Sequence, residues 1–249
     1  EAGVAALRRA QAGLKRYKAS LLKAAYEGRL VPQDPSDEPA EVVLRRLGKS
    51  QLQDASLPSL PQGWCWVRLG EVTNPVQKRV NPQEYPDAPY IGMENVEAHT
   101  MRLLGTIPAV QMKSAAESFC AGDVLYGRLR PYLNKVLCPD FDGLCSTEFI
   151  VFRKTTNIHS KYFQFFLNSW AFVTFANSLN AGDRPRVKFE QLADYPFPLP
   201  PLAEQKRIVA ELEQRLTVVA QVEAAIQAAL TRSARLRQAI LKRAFRGEL

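Results

Sequence analysis

"LLKAAYEGRL" (residues 21–30) and "ILKRAFRGEL" (residues 240–249) are near copies of one phrase set at opposite ends of the chain. Aligned without a gap, Leu22 falls on Leu241, Lys23 on Lys242, Ala25 on Ala244, Gly28 on Gly247 and Leu30 on Leu249. Tyr26 meets Phe245, Leu21 meets Ile240, Tyr17 meets Leu236, and Ala5-Ala6-Leu7 meets Ala224-Ala225-Ile226. Solenoid units follow one another at periods of roughly 20–50 residues, so a repeat this wide is not a solenoid. It reads as one helix used twice, on either side of something else.

The first copy ends a stretch in which Leu7, Ala10, Leu14, Tyr17, Leu21 and Ala24 keep alternating three- and four-residue spacing. That is a heptad seam, and it calls for a partner helix. Gly28 supplies a C-terminal stop, and Pro32 and Pro35 bar continuation. A polar stretch, a short amphipathic helix over 41–47 and a linker through Ser56 follow. The second copy ends a longer helix that starts near Ala203, after a proline-rich lead, and runs to about Phe245. Val219, Val222, Ile226, Ala229, Ser233, Leu236 and Ile240 continue a heptad seam along it. At 1.5 Å per residue it makes a rod of about 60 Å. Long helices with an apolar seam are unstable alone, so the two segments are expected to pair with each other or with another chain.

Between the rods the texture changes. "WCWVRL", "APYIGM", "DVLYGRL", "NKVLC" and "EFIVFR" are short β-branched or aromatic runs broken by Gly, Pro, Asn and Asp, which predicts strands. "SKYFQFFLNSWAFVTFANSL" (160–179) is apolar at helical spacing and predicts one helix packed as core on the sheet. The expected organisation is α+β: a helix over 1–30, a linker with a short helix over 31–56, a globule over 57–200 and a long helix over 201–249.

The net charge of +8 is unevenly placed. Residues 7–30 set seven basic side chains against Glu27 alone, and residues 231–249 set six against Glu248 alone. Residues 60–200 are nearly balanced, with 14 basic and 13 acidic residues. The basic excess therefore sits on the repeated helices, where it serves either a solvated face or phosphate contacts. No apolar run approaches the roughly 18 residues that span a bilayer, and the first residues lack a signal-peptide layout. The four cysteines form no C-x-x-C pair and the chain has two histidines, so no metal site is expected and reduced, mostly buried thiols of a cytosolic protein are.

Catalytic signals are weak. "DAPY" (87–90) approaches the D-P-P-Y loop of amino-methyltransferases, but no Gly-rich strand-to-helix turn accompanies it. Asp140, Asp142 and Glu148 lie near one another in sequence, yet Ile150 stands where a metal nuclease would place lysine. His99 and His159 have no nucleophile or carboxylate at a telling spacing. Two basic clusters suit nucleic acid better. "LYGRLRPYLNK" offers Arg128, Arg130, Tyr132, Asn134 and Lys135 without an acid. "NAGDRPRVK" offers Asn180, Arg184, Arg186 and Lys188 in a Gly/Pro loop. Gln77, Lys78 and Arg79 form a weaker third group. Arginine and asparagine can bond base edges bidentately or hold phosphate, although polar loops can equally be solvated surface.

"LPSLPQGWCWVRLGEV" (57–72), "GDVLYGRLRPYLNK", "CSTEFIVFR", "YPFPLPPLAEQKRIV" (195–209) and the two helix ends together resemble the specificity subunit of type I restriction-modification enzymes. The resemblance implies an α+β target recognition domain on a long antiparallel two-helix coiled-coil spacer, reading one half of a split DNA target in the major groove. It implies no catalysis and no cofactor in this chain: methyltransferase subunits using S-adenosylmethionine dock on the spacer, and a restriction subunit joins them in the cytoplasm. A complete subunit carries two recognition domains and this chain carries one. It is expected to be a C-terminal half or a half-length form that dimerises on double-stranded DNA. The rival readings are a coiled-coil adaptor whose globule binds protein, and a stand-alone methyltransferase or nuclease.

Overall fold

The computed structural model describes residues 2–180 and 182–247. The last pair of the repeat, Leu30 with Leu249, and Ala181 of the second basic loop therefore involve positions outside the described residues. The chain opens with helix α1 (Ala2–Tyr26), followed by α2 (Ala40–Arg46). The globule then runs β1 (Cys65–Arg68), α3 (Leu69–Val72), β2 (Arg79–Val80), β3 (Pro89–Ile91), β4 (Ile107–Pro108), β5 (Ala116–Phe119), β6 (Val124–Gly127) and β7 (Val136–Leu137). It continues with β8 (Gly143–Ser146), β9 (Phe149–Phe152), α4 (Ser160–Leu167), α5 (Trp170–Ser178), α6 (Phe189–Leu192) and β10 (Pro196–Leu199). The long helix α7 (Leu202–Phe245) closes the chain.

Three small sheets carry the globule. β1 pairs antiparallel with β10, which ties the start of the globule to its end. β2-β5-β8-β3-β4 form a five-stranded mixed sheet, and β7-β6-β9 form an antiparallel three-stranded one. β6 and β9 are buried at every position, because both faces of the three-stranded sheet are covered. On one side lie the aromatics of α4 and α5. Phe166 meets Phe197 edge-on at 4.6 Å, and Phe152 meets Phe163 at 5.1 Å. The Tyr162 hydroxyl donates to the Pro198 carbonyl at 2.9 Å, which meets the polar need of a fully buried ring.

Residues 160–179 do not form the single helix expected. Asn168 ends α4, and Ser169 turns extended and caps α5 by accepting from the Phe172 amide at 3.3 Å. A serine oxygen that satisfies an orphan helix donor outweighs apolar periodicity here. Trp170, expected in the core, is consequently 76% exposed. The linker over 31–56 is also more than a connection, since Ala40 and Leu44 are buried in the main core.

The two rods lie side by side and antiparallel. The stretch from Gly3 to Ala10 borders Ser233, Lys18 bonds Glu223 at 2.7 Å, and Gln33, just past α1, reaches Glu204 at 3.1 Å. Val219 and Ile226 are buried, whereas Val222 and Tyr17, expected in the seam, are 42% exposed. The first turns of α7 belong to the globule: Gln205, Ile208 and Leu212 have no exposed surface. The long helix therefore begins inside the core of the globule.

The two copies of the repeated phrase differ in their surroundings. In the first, Leu21 and Ala25 are buried, and Tyr26 packs edge-on against Tyr162 at 5.8 Å and Phe166 at 5.5 Å. Gly28, at φ +65°, lies so close to Pro61 that a Cβ would fall 2.1 Å from the proline ring. Trp64 donates from Nε1 to Glu204 at 2.9 Å beside it. In the second copy Ile240, Leu241 and Phe245 are exposed, Phe245 by 90%, and a Cβ on Gly247 would meet nothing within 4 Å.

Candidate nucleic-acid interface

Backbone pairing assembles the two main basic clusters into one surface. β6 ends at Gly127, and the next residues continue as a ladder with the 185–187 segment. The Val187 amide donates to the Arg128 carbonyl at 3.0 Å, and the Arg130 amide donates to the Pro185 carbonyl at 2.8 Å. Asn180 braces the second loop by donating from Nδ2 to the Arg186 carbonyl at 2.7 Å, and the Lys188 amide donates to Gln191 Oε1 at 2.9 Å. Asn180 thus shapes the loop from within.

Arg130 and Asn134 flank a 3-10 turn (Pro131–Leu133), and both hold left-handed backbone, at φ +52° and +45°. Tyr132 projects from that turn, 45% exposed. Asn134, expected at a base edge, is 6% exposed and donates from Nδ2 toward the Asn168 carbonyl at 3.4 Å. Its place follows from the backbone, because asparagine tolerates left-handed geometry better than most residues. Lys135, also expected on DNA, spends its ammonium on the Met93 carbonyl at 2.5 Å. Lys135 is thus turned to an internal partner, whereas Asn134 is turned inward with its Oδ1 buried and unpartnered.

The remaining cations divide between exposed and half-buried positions. Arg184 and Lys188 are exposed, and Arg186 is exposed while pairing with Glu148. Arg128 and Arg130 are half-buried, and each keeps a buried Nε without a hydrogen-bond partner. Lys78 and Arg79 are exposed at β2, whose partner β5 places Glu117 directly opposite Arg79. A cleft of about 210 Å³ opens where the five-stranded and three-stranded sheets meet. Gln77, Arg79, Glu117, Arg128, Thr147 and Lys188 line it, so each of the three sequence clusters contributes a side chain. Glu117 and Thr147 carry no local sequence signal. Only sheet register brings them here.

The residues weighed for catalysis are scattered into structural roles. Tyr90 of "DAPY" is buried in β3, and Asp142 accepts from the Ala121 amide at 2.7 Å. His159 is bonded through its backbone to Gln205. Burial pushes the Cys65 thiol up to about 12 and the Cys138 thiol up to about 11, which keeps both protonated and poorly nucleophilic. Cys145 is raised for the same reason. Among the described residues no group of three His, Cys, Asp or Glu side chains could hold a metal ion, and no helix is long and apolar enough to cross a membrane.

Comparison with known proteins identifies the family. Residues 61–232 match the family described as type I restriction modification DNA specificity domain. The chain is 33% identical over 245 residues to the type I restriction enzyme EcoDI specificity subunit of Escherichia coli, covering 95% of this chain and 54% of that one. It is 27% identical over 243 residues to the EcoEI specificity subunit of the same organism, covering 85% and 40%. The crystal structure of the HsdS subunit from Thermoanaerobacter tengcongensis superposes with a TM-score of 0.59 at 32% identity, over 73% of this chain and 49% of that one. The chain spans about half the length of the curated relatives it matches. By the extent of that match, it belongs to the type I restriction-modification DNA specificity family.

Proposed function

We propose that this chain is the DNA-reading subunit of a type I restriction-modification system. It reads one half of a bipartite target in double-stranded DNA and performs no bond-making itself. The carrying observation is the convergence of Arg79, Arg128 and Lys188, from three separate parts of the sequence, on one cleft beside the ladder of residues 128–130 and 185–187. Arg184, Arg186, Lys188 and Lys78 suit phosphate contacts that set register. The half-buried Arg128 and Arg130 suit base edges. Methyltransferase subunits holding S-adenosylmethionine, joined by a restriction subunit, supply the chemistry in the cytoplasm under this reading. The adaptor alternative finds no support among the relatives.

The antiparallel α1–α7 pair then acts as the coiled-coil spacer. Its first phrase copy is docked through Tyr26 and Gly28, while its second is uncovered at Phe245. That contrast favours a second recognition domain over the far end of α7, and a second copy of the chain is one source of it. A homodimer of this kind reads a palindromic split site, with rod length setting the gap, as dimer spacing does in other readers. The test is selection from a randomised duplex library by the full chain. Enrichment of two inverted half-sites at one fixed spacing supports the proposal. Binding of all sequences alike sinks it.

A further inference from the structure

We propose that Glu117 reads a base: its carboxylate accepts from the exocyclic amine of cytosine in a C·G pair, and Arg128 donates to the guanine of that pair. This rests on the DNA-reading function proposed above and names part of its specificity. Glu117 is 5% exposed on β5, and its Oε2 is buried without a hydrogen-bond partner. Arg79 Nε approaches the other oxygen, Oε1, at 3.6 Å, too far for a hydrogen bond. Arg128 Nε, in the same cleft, is a buried donor without an acceptor. The cleft is therefore bordered by one residue with an unmet acceptor and one with an unmet donor. Buried polar groups in folded chains are nearly always satisfied, so these await a ligand with the complementary pair.

Base-pair chemistry selects among the possibilities. In the major groove a C·G pair shows the cytosine N4 amine as donor, then guanine O6 and N7 as acceptors. A carboxylate beside a guanidinium matches that order. An A·T pair sets its single amine between two acceptors, thymine O4 and adenine N7, and both repel a carboxylate. Access is through Arg79, whose side chain is 74% exposed and tied to Glu117 only by the 3.6 Å approach. Its swing onto a phosphate uncovers the carboxylate and removes its countercharge at the moment the base amine arrives.

The library selection is repeated with the full chain carrying Glu117→Gln or Glu117→Ala, with circular dichroism to establish folding. The expected result is that preference for C·G falls roughly tenfold or more at one position, with the others unchanged. Three results overturn the inference: an unaltered motif, an equal loss for every sequence, or relaxation at an A·T position. Should both variants fail to fold, the wild-type chain is measured on its target with each cytosine in turn replaced by 2-pyrimidinone, which lacks the N4 amine. Undiminished affinity at every position then overturns it. A wild-type chain that enriches no sequence refutes the DNA-reading function itself, a separate failure from that of Glu117.

Discussion

Gly28→Ala and Gly247→Ala place the same substitution at matching points of the repeated phrase, in opposite surroundings. Both glycines hold left-handed backbone, at φ +65° and +71°, where an L side chain costs about 1–2 kcal/mol. Only at Gly28 does the new Cβ also collide, 2.1 Å from Pro61 Cγ and 3.3 Å from Trp64 Cζ2. Pro61 is a closed ring, and Trp64 is fixed by its bond to Glu204, so neither yields easily. Overpacking of that kind adds about 1–3 kcal/mol. Gly28→Ala should therefore lose about 2–5 kcal/mol, and Gly247→Ala about 1–2 kcal/mol. Urea unfolding followed by tryptophan fluorescence, at concentrations where the chain is monomeric, measures both. The surplus also lowers Tm by roughly 2–4 °C per kcal/mol in a chain of this size. Equal losses would refute the reasoning, since they would mean that the first phrase copy is not seated on the globule.

Three further outcomes are expected. Burial raises the Glu204 carboxyl above its ordinary range, so the folded chain binds the extra proton; stability therefore falls as pH rises from the usual carboxylate pKa through the raised one. Glu204→Gln should flatten that slope in denaturation curves taken from about pH 4 upward. Arg184→Ala should weaken binding to all duplexes alike and lower the log–log salt slope by about 0.9, whereas a selective loss at one base pair would contradict a phosphate role. Phe245→Ala combined with Leu241→Ala should abolish self-association in sedimentation without lowering the melting temperature of the monomer. A dimer of undiminished affinity would remove the far end of α7 from the proposed contact.

The repeat, Gly28 and the heptad spacing make both rods legible in the sequence, because helix stops and seams are local signals. The strands of the central sheets are equally visible where β-branched runs are continuous, as in "EFIVFR". β10 is not, since "PFPL" carries two prolines and becomes a strand only by pairing at an edge with β1. The Ser169 cap is written in the sequence but hidden by the apolar period running across it. Within the site, the exposed arginines are readable as a cluster. The burial of Asn134 is not readable, because an asparagine in left-handed backbone looks, in sequence, like one exposed on a loop. Glu117 cannot be found from its neighbours: its position opposite Arg79 is a consequence of register between strands far apart in the chain.

The basic face of the globule is proposed to supply sequence recognition from a paired rod, while partner subunits do the chemistry. Methylome sequencing of a host carrying this gene and its methyltransferase, with and without deletion of this gene alone, tests it most directly. The expected result is methylated adenine in a bipartite motif that disappears on deletion. Persistence of that methylation without this chain would contradict it.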